Sequence, residues 1–329
     1  MKKYLINSVV LTMTLIAGVI YGIVIHKYEV FPYGIIKMAC HHLIHKEQHN
    51  AYGPWSIGIY EGPTPFDLTA PENISNPVLT GRDVVDIDAK YVADPFMIFT
   101  NGKYFMFFEV MNRKTNQGDI GYSESTDGKH WEYRKVIIDE PFHLSYPYIF
   151  EWDDDYYLIP ESFQDVSVRL YKAVSFPDNW EYVGNLLTGY RYVDPSIFRH
   201  NNKWWLFVST PSNDLLNLYY SSDLLGEWKP HPMNPIVKFD SNIARSGGRV
   251  ITHEGRLYRL TQDDYPYYGI QVFAFEITEL TGKSYAERIV SEKPVVGMTG
   301  KGWNAVGMHH VDLHQIGDKW IAAVDGKNK

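Results

Sequence analysis

Hydrophobic and polar residues follow one arrangement that recurs along most of the chain. Each copy is a short apolar run, a polar turn and a second run rich in aromatic side chains. Two such runs around a polar turn are typical of a β-hairpin. The five copies begin at Asp94, Tyr146, Asp194, Gly247 and His310, and each ends 15 residues later, at Glu109, Glu161, Ser209, Gln262 and Asp325.

The spacing of the copies predicts a propeller. Successive copies begin 48 to 63 residues apart, which suits one four-stranded blade. Outer-strand patterns follow copies one to four but not copy five. Residues 57–61 and 78–80 resemble the missing pair, so we expect N-terminal strands to complete the last blade and close the ring. The sequence therefore predicts an all-β, five-bladed β-propeller over residues 55–329.

The N-terminal segment is apolar and has the length of a membrane span. Residues 9–25 carry no charge, an upstream Leu-Ile pair extends the stretch to residue 5, and two lysines precede it. About 20 apolar residues cross a bilayer core, and the lysines favour a cytoplasmic N-terminus. A cleaved signal peptide is the alternative. We expect a cytoplasmic tip over residues 1–4, a transmembrane signal anchor over 5–25, a juxtamembrane linker over 26–54, and a propeller outside the cytoplasm.

The linker is rich in histidine. His41, His42 and His45 would share one face of a helix and could bind a metal ion, whereas a solvated linker helix is the alternative. Cys40 is the only cysteine in the sequence. A single cysteine excludes an intrachain disulfide and a cysteine-rich zinc site, so the fold must depend on packing.

Composition and charge narrow the function. The formal net charge of −8 argues against nucleic acid as the partner. Aromatic residues make up 15% of the chain, which favours strands. Each ring has two interpretations, since it can pack in the core or stack on a sugar.

Hairpin geometry places polar residues around one mouth of the central channel. The first strand of each blade lines the channel and the second returns antiparallel, so the end of the second lies beside the start of the first. The starting and ending residues of the five copies should therefore ring one mouth, with Arg249 and His309 next to them. Because nearly every blade supplies a different polar group there, a functional site is favoured over a set of turn-forming residues.

The carboxyl groups of this ring point to acid–base chemistry. Five of them in one funnel would repel unless they share protons, pair with Arg or bind a cation. Cleavage of a glycosidic bond needs two carboxyl groups, about 5–5.5 Å apart for retention or about 6.5–9.5 Å apart for inversion. The candidate catalytic residues are Asp94, Asp194, Glu161 and Glu109, and the candidate substrate-binding residues are Tyr146, Arg249, Gln262, His309 and Asp325.

Two of these motifs carry a resemblance to a known superfamily. With Ala93-Asp94-Pro95-Phe96 in copy one and Val193-Asp194-Pro195-Ser196 in copy three, the chain resembles the five-bladed glycoside hydrolases that include arabinanases, xylosidases and invertases. The resemblance implies that Asp94 is the general base or nucleophile and that Asp194 orients or tunes the acid.

The resemblance also implies an acid and a metal site. The acid of those enzymes is a Glu at the start of blade four, where this chain has Ser246-Gly247-Gly248-Arg249. Glu161 or Glu109 would have to replace it. In arabinanase-like members a fifth-blade His holds a hydrated calcium in the channel, and His310 is the equivalent candidate here.

A closer resemblance covers about residues 53–326. Trp55-Ser56-Ile57-Gly58, Asn76-Pro77-Val78-Leu79-Thr80 and Ala93-Asp94-Pro95-Phe96-Met97 are similar to the N-terminal propeller of glucosamine inositolphosphorylceramide transferases and its bacterial relatives. In the plant proteins sugar transfer belongs to a separate domain. The resemblance thus implies a propeller and a glycan-related role.

Three functions follow as hypotheses. The first is a membrane-anchored glycosidase-like or transglycosylating enzyme that acts on envelope or exported glycans. The second is a non-catalytic glycan-binding or scaffold module of a polysaccharide or glycolipid biosynthesis system. The third is a structural partner of a membrane glycosyltransferase. All three make a glycan or glycolipid the expected ligand.

Overall fold

The computed structural model describes residues 54–329, which form five antiparallel β-sheets. The predicted all-β, five-bladed propeller is confirmed. Between Pro54 and Lys329, no helix has the length and apolar character needed to cross a bilayer. The predicted cytoplasmic tip, signal anchor and histidine-rich linker lie outside the described residues, apart from Pro54.

Blades one and two are regular four-stranded sheets. Blade one comprises β3 (Ala89–Thr100), β4 (Lys103–Asn112), β5 (Gln117–Ser125) and β6 (Glu132–Ile138), paired in that order. Blade two comprises β7 (Ser145–Trp152), β8 (Asp155–Ser162), β9 (Ser167–Ser175) and β10 (Asn179–Thr188), also paired in chain order. A short 3₁₀ helix at Phe163–Asp165 joins β8 to β9.

Blades three and four have divided edges. Blade three comprises β11 (Val193–His200), β12 (Lys203–Ser209) and β13 (Leu215–Ser221), with β14 (Lys229–Pro230) and β15 (Val237–Lys238) on its outer edge. Blade four begins with β16 (Arg245–Ser246) and β17 (Ile251–His253), which both pair with β18 (Arg256–Asp263). It continues with β19 (Gln271–Leu280), whose outer edge pairs with β20 (Tyr285–Ile289) and β21 (Val296–Gly297).

Blade five is assembled from both ends of the described chain. Its strand order is β2-β1-β23-β22, from β1 (Trp55–Thr64), β2 (Asp67–Thr69), β22 (Val311–Ile316) and β23 (Lys319–Lys327). A 3₁₀ helix at Gly302–Asn304 precedes β22. The register of β1 against β23 is continuous from Trp55↔Lys327 to Gly62↔Trp320. The predicted closure of the ring by an N-terminal strand is therefore confirmed.

The outer edge of blade five differs in part from the prediction. Its outer strand is β2, and residues 78–80 form an isolated bridge between Leu79 and Ile57 instead of a strand. Asn76 gives the physical reason. Its side chain accepts from the Ile59 N–H and donates to the Ile59 C=O, both at 2.8 Å, and so takes up the groups that an edge strand would pair.

Aromatic side chains of the second strands pack between neighbouring blades. Phe107 of blade one lies 5.7 Å from Trp180 of blade two, between ring centroids, and Phe150 of blade two lies 5.7 Å from Trp204 of blade three. Such rings bury large apolar areas and pair edge to face at these distances. Much of the high aromatic content is thus explained by packing between blades.

Blade four begins one residue earlier than the repeat predicts. Arg245 pairs with Gln262 as Ala93 pairs with Glu109, so Ser246, and not Gly247, is equivalent to Asp94. The reason is local, because residues 247–250 interrupt the first strand between β16 and β17. Ser246 and Gln262 are therefore 16 residues apart, one more than the spacing of 15 in the sequence repeat.

Gly248 lies where this interruption reaches the channel. Its N–H donates to Tyr146 Oη at 3.0 Å, and its C=O accepts from Tyr146 Oη at 3.0 Å and Ser196 Oγ at 3.2 Å. Its φ is +146°, and a Cβ there would lie 1.9 Å from the Val311 carbonyl oxygen. A side chain at this position would therefore push blade four away from the Val311 backbone of blade five.

The substitution Gly248→Ala is expected to lower the free energy of unfolding by about 3 kcal/mol or more, since it adds a backbone clash to the strain of an unfavourable φ. Gly255→Ala is the matched control. Its φ is also positive, at +74°, but its Cβ would meet nothing within 4 Å, so a loss of about 1 kcal/mol is expected. Urea unfolding of both variants measures the difference, and equal losses would contradict the channel contact.

Candidate functional site

Three first strands have the same unusual backbone conformation at equivalent positions. Asp94, Tyr146 and Asp194 have φ values of +54°, +47° and +46°, and the strand register shifts at each of them. Left-handed φ values are uncommon outside glycine, and such strain concentrates at functional sites. The bulges bring the blades together at one mouth, where Asp94 Oδ2 accepts from the Tyr146 N–H at 3.3 Å.

Asp194 is held by a buried cation. Arg245 donates from Nε to Asp194 Oδ2 at 2.5 Å and from Nη2 to Oδ1 at 3.1 Å, and Gln262 Nε2 donates to Oδ2 at 2.6 Å. A bidentate guanidinium is the strongest common partner of a carboxylate. Burial alone would raise the pKa of Asp194, but Arg245 outweighs burial and holds this pKa below its usual range. Asp194 is therefore ionised at neutral pH.

Asp325 and Asp94 face the two nitrogens of His309. His309 Nδ1 lies 2.7 Å from Asp325 Oδ2, and Nε2 lies 3.5 Å from Asp94 Oδ1. Burial opposes the charge on His309, but Asp325 and then Asp94 favour it and raise its pKa to about 9. Trp55 stacks on the imidazole at 4.1 Å between ring centroids. His309 is therefore an imidazolium that joins two carboxyl groups.

The other carboxyl groups of the mouth keep their protons more strongly. Burial, only partly offset by His309, raises the pKa of Asp94 to about 7. Burial first, and like charges second, raise the pKa of Glu109 and of Glu161 well above the ordinary value. The five predicted carboxyl groups thus comprise two ionised carboxylates, two protonated carboxylic acids and one group, Asp94, that titrates near neutrality.

The arrangement at His309 fits a proton better than a metal ion. Ligand atoms of Asp94, His309 and Asp325 lie within 4.8 Å of one another, which is close enough to consider a metal. However, each imidazole nitrogen faces a different carboxylate, as in an imidazolium with two N–H donors. A metal ion would use one nitrogen in its neutral form.

His310 stays a predicted ligand of a hydrated calcium ion. Its ring lies between Phe96 and Tyr146, at centroid distances of 4.5 and 5.2 Å, and its Nδ1 lies 4.0 Å from Asp94 Oδ1. Both ring nitrogens of His310 are buried and form hydrogen bonds with none of the described residues, and the six to eight oxygen ligands of calcium can include water. Burial lowers the pKa of His310 to about 4, so the ring is neutral.

Two predicted substrate-binding residues lie deeper in the channel. The Tyr146 ring is fully buried, and its hydroxyl forms hydrogen bonds with the Ser196 hydroxyl and the Gly248 carbonyl. Arg249 donates to Asp312 Oδ1 at 2.8 Å and to the carbonyl of Ile149. The side chains of Tyr146 and Arg249 thus form hydrogen bonds deeper in the channel than the mouth. The predicted residues that the structure brings together at the mouth are Asp94, Glu109, Glu161, Asp194, Gln262, His309 and Asp325.

Several residues of the mouth were not predicted from the sequence. Arg245 is the most important, and its signal was present, since it directly precedes the fourth-blade Ser246 that is equivalent to Asp94. Tyr268 covers the Arg245 guanidinium at 5.3 Å and meets His309 edge-on at 5.2 Å. It comes from the loop between β18 and β19, where no repeat pattern marked it.

Stability is expected to fall as pH rises across two intervals. The pKa of Asp94 is about 7 in the fold and about 4 in an unfolded chain, so the native state holds the extra proton between these values and loses stability there. His309, with a pKa of about 9 in the fold, adds a loss from about pH 6.5 upwards. Asp94→Asn should make the first interval less steep, by at most about 4 kcal/mol, and the raised pKa values of Glu109 and Glu161 should account for the fall that remains.

Urea midpoints measured from pH 4 to pH 9 check this profile. The second interval should largely persist in Asp94→Asn, since Asp325 still faces His309 at 2.7 Å. Parallel profiles of the wild type and Asp94→Asn between pH 4 and pH 7 would contradict the raised pKa of Asp94.

Fold and site together define a five-bladed β-propeller with a cluster of carboxyl groups of unequal acidity at one mouth of its channel. Solved structures share the fold. A putative glycoside hydrolase from Parabacteroides distasonis is 15% identical with a TM-score of 0.59, covering 80% of this chain and 98% of that one. An α-L-arabinofuranosidase catalytic domain from Coprinopsis cinerea is 13% identical with a TM-score of 0.56, covering 84% and 97%.

The family is shown by sequence. The family described as glucosamine inositolphosphorylceramide transferase 1, N-terminal, matches residues 47–327. The transferase of that name from Oryza sativa subsp. japonica is 35% identical over 298 residues, which cover 83% of this chain and 40% of the rice protein. The chain belongs to this family, as its motifs predicted, and it spans about two fifths of the length of the rice protein.

Proposed function

We propose that this chain is a carbohydrate-active propeller that binds a glycan or glycolipid at the mouth and cleaves or transfers a glycosidic bond there. One observation carries the proposal, namely the division of five buried carboxyl groups into two ionised by Arg245 and His309 and three with raised pKa values. Carboxyl groups whose environments push their pKa values apart can supply an acid and a base at one pH. Glycosidic bond cleavage uses such a pair.

Asp94 is the base or nucleophile in this proposal. It lies on the first strand of blade one, titrates near neutrality, and its Oδ2 accepts a hydrogen bond from the Tyr146 N–H at 3.3 Å. Glu109 or Glu161 supplies the proton, because each is a buried acid at the same mouth. Asp194 holds the Arg245 side chain in place, so that Arg245 Nη2 lies 3.5 Å from Glu161 Oε2.

A second candidate is a non-catalytic glycan-binding or scaffold module of a polysaccharide or glycolipid biosynthesis system. It is favoured by Ser246, which occupies the fourth-blade position equivalent to Asp94, near which the resembling hydrolases carry their acid. The rice relative is named a transferase and is longer than this chain. A glycosyltransferase would be the partner of such a module.

We also propose that residues 5–25 anchor the chain in a membrane, with the N-terminus in the cytoplasm and the propeller outside. The uncharged stretch and the two preceding lysines support this orientation. Cys40, the single cysteine, is a natural reporter because it lies in the linker. A membrane-impermeant maleimide should label Cys40 in sealed right-side-out vesicles, with Cys40→Ser as control. Labelling only after lysis would contradict the orientation.

A panel of glycans and glycolipids tests the enzymatic proposal. Binding and product release are measured for the wild type on the same panel, with heat-denatured protein as control. Product release from at least one bound member is expected. Binding without product over long incubations would reject the enzyme and support the binding module.

A further inference from the structure

We infer that Glu109 is the acid of the proposed reaction and that Tyr91 and His143 are its positioning residues. The inference rests on the proposed function, since an acid is required only if the mouth breaks a glycosidic bond. It distinguishes Glu109 from Glu161 by the atoms that each carboxyl group contacts.

Glu161 is bonded to groups that favour its ionised form. Its Oε2 accepts from the Asp194 N–H at 3.1 Å and from Arg245 Nη2 at 3.5 Å. A guanidinium beside a carboxyl group stabilises the carboxylate. Burial first and the charge of Asp194 second raise the pKa of Glu161, and the Arg245 guanidinium opposes them. Glu161 is thus better suited to hold Arg245 in place than to deliver a proton.

Glu109 is contacted by a histidine whose tautomer the hydrogen bonds define. The Gly118 N–H donates to His143 Nδ1 at 2.9 Å, so Nδ1 carries a lone pair and the ring proton lies on Nε2. Burial lowers the pKa of His143 to about 4, which makes the ring neutral. Nε2 lies 3.9 Å from Glu109 Oε1. His143 therefore places a neutral N–H group near the carboxyl group of Glu109, at a separation longer than a direct hydrogen bond.

Tyr91 presents a second neutral donor to the same oxygen. Its hydroxyl donates to Glu109 Oε1 at 3.5 Å. Because both neutral donors face Oε1, the other oxygen, Oε2, is left to carry the acidic proton. Once the proton leaves, the same two donors stabilise the carboxylate, which is the form that an acid takes after the transfer.

The step balances with water as co-reactant. The bond between the anomeric carbon and the leaving oxygen breaks, and the leaving oxygen takes the Glu109 proton. The anomeric carbon bonds to the water oxygen, and the water proton goes to Asp94. Strand pairing of Ala93 with Glu109 places Asp94 and Glu109 at the same end of blade one.

Other charged groups also face Glu109. After burial, its pKa is raised by three carboxyl groups and lowered by the Tyr91 hydroxyl. Removing that hydroxyl should raise the pKa further, so the basic limb of the kcat/KM profile should move to higher pH. The groups that face Glu109 are Asp94, Glu161, Asp325, Tyr91 and His143.

The leaving group of the substrate identifies the acid. Wild type, Glu109→Gln and Glu161→Gln are compared on a glycoside with an alkyl leaving group and on its nitrophenyl equivalent, which leaves without protonation. Glu109→Gln should lose at least about 10²-fold in kcat/KM on the alkyl glycoside and less than about tenfold on the nitrophenyl glycoside. Glu161→Gln should lose similar factors on both.

The outcomes separate this inference from the proposed function. If the wild type turns over neither glycoside, both the proposed function and the assignment of Glu109 are overturned. If the wild type is active and Glu161→Gln, instead of Glu109→Gln, loses much more activity on the alkyl glycoside than on the nitrophenyl glycoside, only the assignment of Glu109 is overturned.

A pH profile tests the positioning role of Tyr91. Tyr91→Phe should move the basic limb to higher pH, whereas the control Tyr133→Phe should not. Tyr133 also donates to a carboxylate beside blade one, Asp86 Oδ1 at 2.6 Å, but on an exposed edge. An unchanged limb in Tyr91→Phe, or an equal shift in Tyr133→Phe, would overturn the assignment.

Discussion

Asp94→Asn is expected to reduce turnover by about 10²- to 10⁴-fold while the propeller stays folded and still binds its glycan. Asparagine keeps the size of the side chain and an oxygen that accepts from the Tyr146 N–H, which lies 3.3 Å away in the wild type. It removes a mouth carboxyl group that titrates near neutrality, with a pKa of about 7. Chemistry, and not substrate binding, should therefore be lost.

Kinetic constants and a binding isotherm on one substrate measure this effect. Asp86→Asn is the control, because Asp86 also lies beside blade one and accepts two hydrogen bonds there, from Tyr133 and Val136. It should keep wild-type turnover. A fall in binding that matches the fall in turnover would show that Asp94 only holds the ligand.

Arg245→Met is expected to lower the free energy of unfolding by about 3–5 kcal/mol. The arginine side chain is 13% exposed and is the bidentate partner of Asp194, whose side chain is 1% exposed. Without Arg245 the Asp194 carboxylate would be buried with only neutral side-chain donors, among them Gln262 Nε2 at 2.6 Å. Most of the loss should come from that uncompensated charge.

The double variant Arg245→Met with Asp194→Asn identifies the cause. It should recover part of the loss, because no unpaired charge remains in the mouth. Lys103→Met is the control for a surface pair, since Lys103 is 49% exposed beside Glu124, and it should cost less than about 1 kcal/mol. A loss for Arg245→Met no larger than this control would contradict a buried ion pair at the mouth.

The propeller could be predicted because its evidence is local. Each hairpin shows an alternating pattern and a turn, and the fixed spacing of the copies gives the number of blades. The same spacing placed Asp94, Glu109, Glu161 and Asp194 at one mouth, since strand pairing brings the ends of a hairpin together.

The partners of these residues could not be predicted in the same way. Arg245 was missed because residues 247–250 interrupt a strand and change the register by one residue. Tyr146 was expected at the mouth, but its ring is buried in the channel against Gly248. His143 belongs to the connection between β6 and β7, where no period relates one residue to the next. The charge state of each carboxyl group depends on such contacts between blades.

The claim that the mouth breaks glycosidic bonds through Asp94 is tested most directly by product analysis in ¹⁸O-labelled water. Wild type and Asp94→Asn are incubated with each glycan that binds, and products are identified by mass spectrometry. The wild type should release a sugar that carries ¹⁸O at its anomeric carbon, or a transfer product when an acceptor is present, and Asp94→Asn should release neither. Bound glycans recovered intact from the wild type, with no labelled or transferred product, would contradict the account.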